Sequence, residues 1–209
     1  MQVRQMRAHL HGIQGLTYVP EYVSKAEEDD LFLLVDRNNW STELKRRVQH
    51  YGYRYDYKRR QADSRSYLGR LPGWLLALAE RLHYDGLIAR VPDQSAINEY
   101  LPGQGIATHV DCVPCFGDTV ISLSLGSPCV MEFSRDGMKI PVLLEPRSVL
   151  VMSDVARYQW KHGIPARKHD TFEGEEYTRG RRLSITFRSI LLEAMEAQPA
   201  YAAPRRAIG

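Results

Sequence analysis

The sequence predicts an α+β protein: helices gathered near the N-terminus, followed by short strands that close into a sandwich or jelly roll. Three observations carry this. Two stretches repeat apolar residues at helical spacing, each behind a start signal. From residue 94 onward, β-prone runs alternate with Gly and Pro punctuation. The length of 209 residues, with 44% apolar and 25% charged residues, suits one core-forming domain.

The first helix is expected over residues 24–37. Ser24 and Glu27 make an S-x-x-E capping box, and Leu31, Leu34 and Val35 supply an apolar face. The second is expected over 71–83, with Pro72 near its first turn and Leu75, Leu78, Ala79 and Leu82 at helical spacing. Between them, residues 47–57 alternate, carry several tyrosines and are broken by Gly52, which predicts a β-hairpin. Strands are expected at 95–101, 119–125, 129–133, 140–144, 148–152 and 182–190. Residues 1–14 read as an extension, 15–192 as the domain and 193–209, rich in Ala and Pro, as a flexible tail.

No apolar run approaches the ~20 residues that span a bilayer, so no membrane partner is expected. Residues 1–11 are polar and basic, without the apolar segment of a secretory leader. Three cysteines form no framework spacing, which predicts reduced thiols and a cytoplasmic, monomeric protein. Lys45, Arg46, Arg47, Arg54, Lys58, Arg59, Arg60, Arg65 and Arg70 crowd one stretch. Such a patch suits a polyanion, although a solvated basic face without a partner has the same composition.

His109-Val110-Asp111 follows a β-prone segment. Residues two apart in extended chain point to one side, so an imidazole and a carboxylate can share a metal. His162 is the candidate third ligand. Two His and one carboxylate on one face leave open positions, as non-heme Fe(II) oxygenases require. His9, His11, His50, His83 and His169 lack a comparable pattern. In 182–188, Arg182, Ser184, Thr186 and Arg188 share one face while Leu183, Ile185 and Phe187 share the other. Inward guanidiniums call for anions, and a dicarboxylate meets that need through bidentate bonds; a solvated polar face is the alternative. Asn98 and Tyr100 also share a face and suit the two ends of the same diacid.

At these residues the chain resembles the AlkB family of nucleic-acid dioxygenases, from about residue 15 to residue 190. The resemblance lies in Ile97-Asn98-Glu99-Tyr100-Leu101-Pro102-Gly103-Gln104-Gly105-Ile106 leading to His109 and Asp111, in Ile121-Ser122-Leu123-Ser124-Leu125-Gly126, and in Arg157-Tyr158-Gln159-Trp160-Lys161-His162-Gly163-Ile164. It implies a double-stranded β-helix and Fe(II) at His109, Asp111 and His162. It implies 2-oxoglutarate, with O₂ as cosubstrate, on Arg182 and Tyr100 at the far carboxylate and on Asn98 and Arg188 at the iron side. Arg46-Arg47-Val48-Gln49-His50-Tyr51-Gly52-Tyr53 is similar to the family's nucleotide lid. Arg46 and Arg47 are then candidates for phosphates, and Tyr51, Tyr53 and Tyr55 for stacking on a base, hairpin packing being the other use of those rings.

The implied activity is oxidative demethylation of alkylated bases in DNA or RNA, on a flipped or single-stranded base. The nearest branch includes a tRNA wobble-uridine hydroxylase, the second reading; a protein side-chain hydroxylase is a third. Ser184 stands where the bacterial prototype has Asn. Val113 stands where repair members carry an acid and the tRNA branch a zinc-binding His. Cys112 and Cys115 form a C-x-x-C without partner ligands, which predicts two buried thiols and no structural zinc.

Overall fold

The computed structural model describes residues 6, 8–57, 59, 61–62 and 64–191. Lys58, Arg60 and the tail at 193–209 lie outside the described residues, as do Arg4 and Arg7. In chain order the elements are β1 (Leu16–Val19), α1 (Lys25–Asp36), β2 (Val48–Tyr51), α2 (Gly73–Tyr84), β3 (Gln94–Tyr100), β4 (Ile106–His109), β5 (Val120–Gly126), β6 (Cys129–Arg135), β7 (Met138–Leu144), β8 (Val149–Met152), α3 (Asp154–Tyr158), β9 (Lys161–Ile164), β10 (His169–Phe172), β11 (Glu175–Thr178) and β12 (Arg182–Arg188).

Two sheets make the jelly roll. The larger has the order β1-β8-β5-β12-β3-β2, the smaller β4-β9-β6-β7, and β10 and β11 pair as a separate hairpin. Every neighbouring pair in these sheets is antiparallel. The outer face of the large sheet carries Ile97, Ile121, Leu123, Leu125, Leu183, Ile185 and Phe187, packed in one cluster with Leu31 and Val35 of α1 and Leu75, Leu78, Ala79 and Leu82 of α2. A second apolar cluster fills one end between the sheets, with Tyr100, Leu150 and Met152 from the large sheet and Phe133, Val142, Leu144 and Ile164 from the small one.

Both helices start as their sequence dictates. Ser24 Oγ accepts from the Glu27 amide and the Glu27 carboxylate accepts from the Ser24 amide, which satisfies two orphan N–H groups of α1. Pro72 caps α2, where a missing N–H costs nothing. Elements with weak sequence signals are β1, β4, β9, β10, β11 and α3, four or five residues each. They are held mainly by their neighbours' registers.

The expected hairpin over 47–57 is not what forms. Val48–Tyr51 joins the edge of the large sheet, with Val48 opposite Asn98 and His50 opposite Ala96. The chain then leaves the sheet at Gly52, whose φ is +75°; a Cβ there would lie 1.9 Å from the Asp93 carbonyl oxygen. The excursion returns beside itself further on, through bridges Tyr53–Tyr67 and Asp56–Gln61. Gly52 therefore permits a close backbone pass and is not the tip of a turn.

Outside the sheet, Glu99 is buried and ties three elements together. Arg47 approaches it with two bonds of 2.6 and 2.7 Å, and Arg181 with one of 2.8 Å. Arg181 continues to Asp36 on α1. The hydrogen bond from Arg47 leads the causes that hold the Glu99 carboxyl below its ordinary value, overcoming burial. A depressed folded pKa means that this stability is full above the unfolded value of about 4.3 and is lost as pH falls through the folded one. Glu99→Gln is expected to lower stability by about 3 kcal/mol at neutral pH. The gap to wild type should narrow below about pH 4. Denaturant melts at both pH values check this; equal neutral-pH stabilities would remove the network's importance.

Candidate metal and cosubstrate centre

β4 ends on His109, and β9 lies antiparallel beside it with His162 as its direct partner. The two ring centroids are 4.5 Å apart. Gly163 allows this approach: a Cβ there would meet Thr108 Cα at 2.9 Å. Asp111 follows two residues after β4, with Oδ2 at 3.6 Å from His162 Nε2. Ligand atoms of His109, Asp111 and His162 all lie within 4.8 Å of one another, the only such group among the described residues.

The protonation states suit a cation. His109 Nδ1 lies 2.8 Å from the Ala107 carbonyl oxygen. A carbonyl only accepts, so Nδ1 carries a proton and Nε2 is the ring nitrogen available to a metal. Burial pushes His162 down to about 4, with His109 and Arg188 adding to it and Asp111 opposing, so the ring is neutral at ordinary pH. Burial by itself would raise the Asp111 carboxyl, but the positive charge of Arg188, helped by the nearby imidazoles and by Arg157, overcomes it and holds the group well below the usual carboxylate range. Arg188 Nη2 donates to Asp111 Oδ1 at 2.9 Å.

Next to this triad runs the inner face of β12. Arg182, Ser184, Thr186 and Arg188 point inward, flanked by Ser122 and Ser124 on β5 and by Gln94, Asn98 and Tyr100 on β3. Ser122 and Ser184 share a bond of 2.9 Å, and Arg188 also reaches Gln94 at 3.4 Å. Thr186 is buried in the same row. Arg182 is 2% exposed, donates once to Ser124 Oγ at 2.7 Å and lies over the Tyr100 ring. Its Nε and Nη1, like Nε of Arg188, are buried without a partner. A buried guanidinium with two idle nitrogens and no carboxylate beside it is costly unless an anion completes it. A dicarboxylate spanning Arg182 and the triad satisfies that demand. Tyr100, Cys129, Ile164 and Arg182 line a small cavity there.

The residues expected at the substrate side divide. Arg46 turns inward: its Nε donates to Asn98 Oδ1 at 2.9 Å, and its guanidinium lies near the Tyr57 and Tyr100 rings. Arg47 faces outward, stacked on Trp40 and bonded to Glu99, away from the inner face that carries Asn98. Successive residues of a strand point to opposite sides, and the pairing of Val48 with Asn98 decides which is which. Tyr51 likewise packs outward, edge-on against Trp74. Tyr53 packs on Tyr67, and Tyr55 on Tyr57 and Phe116. The inward aromatic is Tyr57, with His50 5.7 Å away. Burial pushes His50 down to about 4, aided by Arg188 and Arg54, and its Nδ1 is buried without a partner. A cleft of about 810 Å³ opens beside Tyr57, lined also by Glu43, Arg54, Asp56, Arg59 and Arg65. Cys112 and Cys115 are buried as expected but are joined as a disulfide, not two thiols; their Cα atoms are 5.3 Å apart, within bridging reach.

The profile of the 2OG-Fe(II) oxygenase superfamily matches residues 33–188. An Arabidopsis thaliana protein named Alkylated DNA repair protein ALKBH8 homolog is 36% identical over 203 residues, covering 85% of this chain and 59% of its own length. A Macaca fascicularis protein named tRNA (carboxymethyluridine(34)-5-O)-methyltransferase ALKBH8 is 39% identical over 201 residues, covering 84% of this chain and 30% of its own length. The chain thus spans well under two thirds of these relatives. A solved structure, "The structure of OsALKBH1", superposes with a TM-score of 0.62 at 19% identity, covering 84% of this chain and 96% of that one, and shares the fold.

His109→Ala or Asp111→Ala is expected to abolish Fe(II)-dependent conversion of 2-oxoglutarate to succinate; unchanged turnover would displace the metal from these residues. Arg182→Ala should raise the 2-oxoglutarate KM at least tenfold, since removing one partner of a buried charge pair costs roughly 2–5 kcal/mol. Iron affinity should change far less. A KM shift under about threefold would hand the anchor to another residue.

Proposed function

The chain belongs to the 2OG-Fe(II) oxygenase superfamily, and from that premise we propose that it oxidises a carbon substituent on a nucleobase of DNA or RNA. It is a dioxygenase using Fe(II), 2-oxoglutarate and O₂, homologous to AlkB-type proteins. When bound, these supply an oxidant able to remove hydrogen from a C–H bond, 2-oxoglutarate leaving as succinate and CO₂. The observation that carries the nucleic-acid reading is the cleft lined by Arg54, Arg59, Arg65 and Tyr57, whose ring also lies by Arg46 and within electrostatic reach of Asp111.

The chain's own residues do the positioning. Arg182 and Tyr100 hold the far end of the cosubstrate, and Asn98, Arg188, Ser184 and Thr186 its iron-proximal side. Arg46 braces Asn98 and Tyr57, keeping the wall closed around a base. Tyr57 offers a flat ring for stacking. Arg59 and Arg65, rather than Arg47, are the phosphate candidates at the rim.

Whether the substituent leaves depends on where it sits: a hydroxylated N-methyl group collapses to formaldehyde and free base, whereas a hydroxylated carbon side chain stays. Oxidative demethylation of alkylated bases and side-chain hydroxylation of a tRNA wobble uridine both fit this chemistry. Charge favours the second. Buried acids other than Asp111 are committed elsewhere: Glu28 to Arg147, Glu99 to Arg47 and Arg181, Asp170 to Arg179. Beside Asp111 the position two residues on is the exposed Val113, with no charge. Arg188 is paired with Asp111, so among the described residues the guanidinium that faces the substrate side without an ion pair is Arg46. A unit charge about 7 Å from one uncompensated guanidinium, at an effective ε of about 20, feels roughly 2 kcal/mol. A cationic N-methylated base is disfavoured by more than tenfold on that scale, while a neutral or anionic substituted uridine is not.

Mass spectrometry of nucleosides after incubating iron-loaded enzyme with methylated DNA, methylated RNA and total tRNA tests the reading. Oxidised tRNA uridine with little loss of cationic N-methyl bases is expected; the reverse would restore the repair reading. Affinity for a labelled single strand should fall steeply with salt. Arg59→Glu should weaken it for many sequences alike. Salt-independent binding, or none, would transfer the activity to protein side chains.

A further inference from the structure

Arg157 has no part in the scheme above, yet it is 2% exposed and lies against the metal centre. It sits on α3, and its guanidinium faces the irregular segment that links β4 to β5. All its hydrogen bonds go to backbone carbonyls of that segment. Nη1 donates to Asp111 O at 3.0 Å, Nη2 to Cys112 O at 3.2 Å and Phe116 O at 3.3 Å, and Nε to Gly117 O at 3.3 Å. No carboxylate forms an ion pair with it among the described residues. A buried arginine so placed is an expensive way to fill space, because an apolar side chain of similar volume avoids the desolvation.

Resting on the metal reading of the triad, we propose that Arg157 is a positioning residue: it folds the segment after β4 around its guanidinium and thereby fixes the backbone that delivers Asp111 to the metal. The segment has little else to define it. No strand lies between residues 110 and 119. Its other ties include the Cys112–Cys115 disulfide, the turn bonds from Cys115 N and Phe116 N to Cys112 O, two bonds to the chain just past β12, Gly117 N to Ser189 O and Leu191 N to Cys115 O, and the packing of Phe116 on Tyr55. Those ties hold the far half. Among the described residues, Arg157 is the one that bonds the Asp111 peptide itself, while Arg188 holds its carboxylate. The planar fork matters: five N–H donors in one plane reach four carbonyls at once, which the compact ammonium of lysine does not match.

The test uses the metal-free full chain titrated with Co(II), read by its visible absorption, beside thermal melts. Arg157→Lys and Arg157→Ala are expected to bind Co(II) about tenfold or more weakly, with an altered band, as loss of a ligand's orienting partner does. Guanidinium below denaturing concentration should restore affinity to Arg157→Ala, and methylammonium should not. In turnover assays kcat should fall more than the 2-oxoglutarate KM rises. Should Arg157→Ala fail to fold, Arg157→Lys carries the test. Variants with lowered melting temperature but wild-type Co(II) affinity and spectrum would overturn the proposal, leaving Arg157 a scaffold residue. A wild-type chain that binds no Co(II) would overturn the metal reading and this proposal together.

Discussion

The structure depends on one strand having two incompatible faces. Every second residue of β12, from Leu183 to Phe187, is fully buried against the helices, while the alternate residues put two guanidiniums and two hydroxyls into the space between the sheets. A central strand cannot slip by one residue without exchanging these sets, so its register with β3 and β5 is pinned from both sides. Fixing that register aligns Arg182 with Tyr100 and Ser184 with Asn98. The cosubstrate face is thus assembled by the same constraint that packs the helices on the sheet's back.

Polar groups inside a fold need partners, and those of this interior are supplied unevenly. Structural acids are saturated: Asp170 receives two bonds from Arg179, one from Arg167 and one from the Val130 amide. The functional basic groups are not, as the idle nitrogens of Arg182 and Arg188 show. That asymmetry separates a network that stabilises from a site kept open for an anion. It is a stronger indicator than the histidines and aspartate alone, because a close His–Asp–His cluster also arises in metal-free ion-pair networks.

Six of the twelve described strands and both long helices were legible from periodicity, because alternating or helical burial is written residue by residue in Leu75 to Leu82 and in Leu183 to Phe187. The close approach of His109, Asp111 and His162 was legible too, since an H-x-D at a strand end and a distant His are local patterns that the jelly roll brings together. What failed needed pairing information. Arg46 and Arg47 are neighbours with the same chemistry, and only the register of β2 on β3 sends one to Asn98 and the other to Glu99. Tyr51 turns outward for the same reason, and the inward ring is Tyr57, which lies beyond the strand's end at Gly52. Joining Cys112 to Cys115 depends on a turn that no periodicity marks. Arg157 acts on a segment more than forty residues away in sequence through backbone carbonyls, which have no residue code at all.

Asp111 is approached by guanidiniums from two directions, Arg188 on the carboxylate and Arg157 on the peptide. Both carry charge that favours the ionised acid, so the ligand is anionic before a cation arrives. Holding it so has a cost, since both arginines are largely removed from water. What it supplies is orientation: a carboxylate with one oxygen already bonded to Arg188 presents the other toward His162, and the metal need not organise the loop on entering. The same positive field extends to the substrate side through Arg46. One set of arginines therefore links an ionised Asp111 beside the two histidines to the anion-seeking inner face of β12.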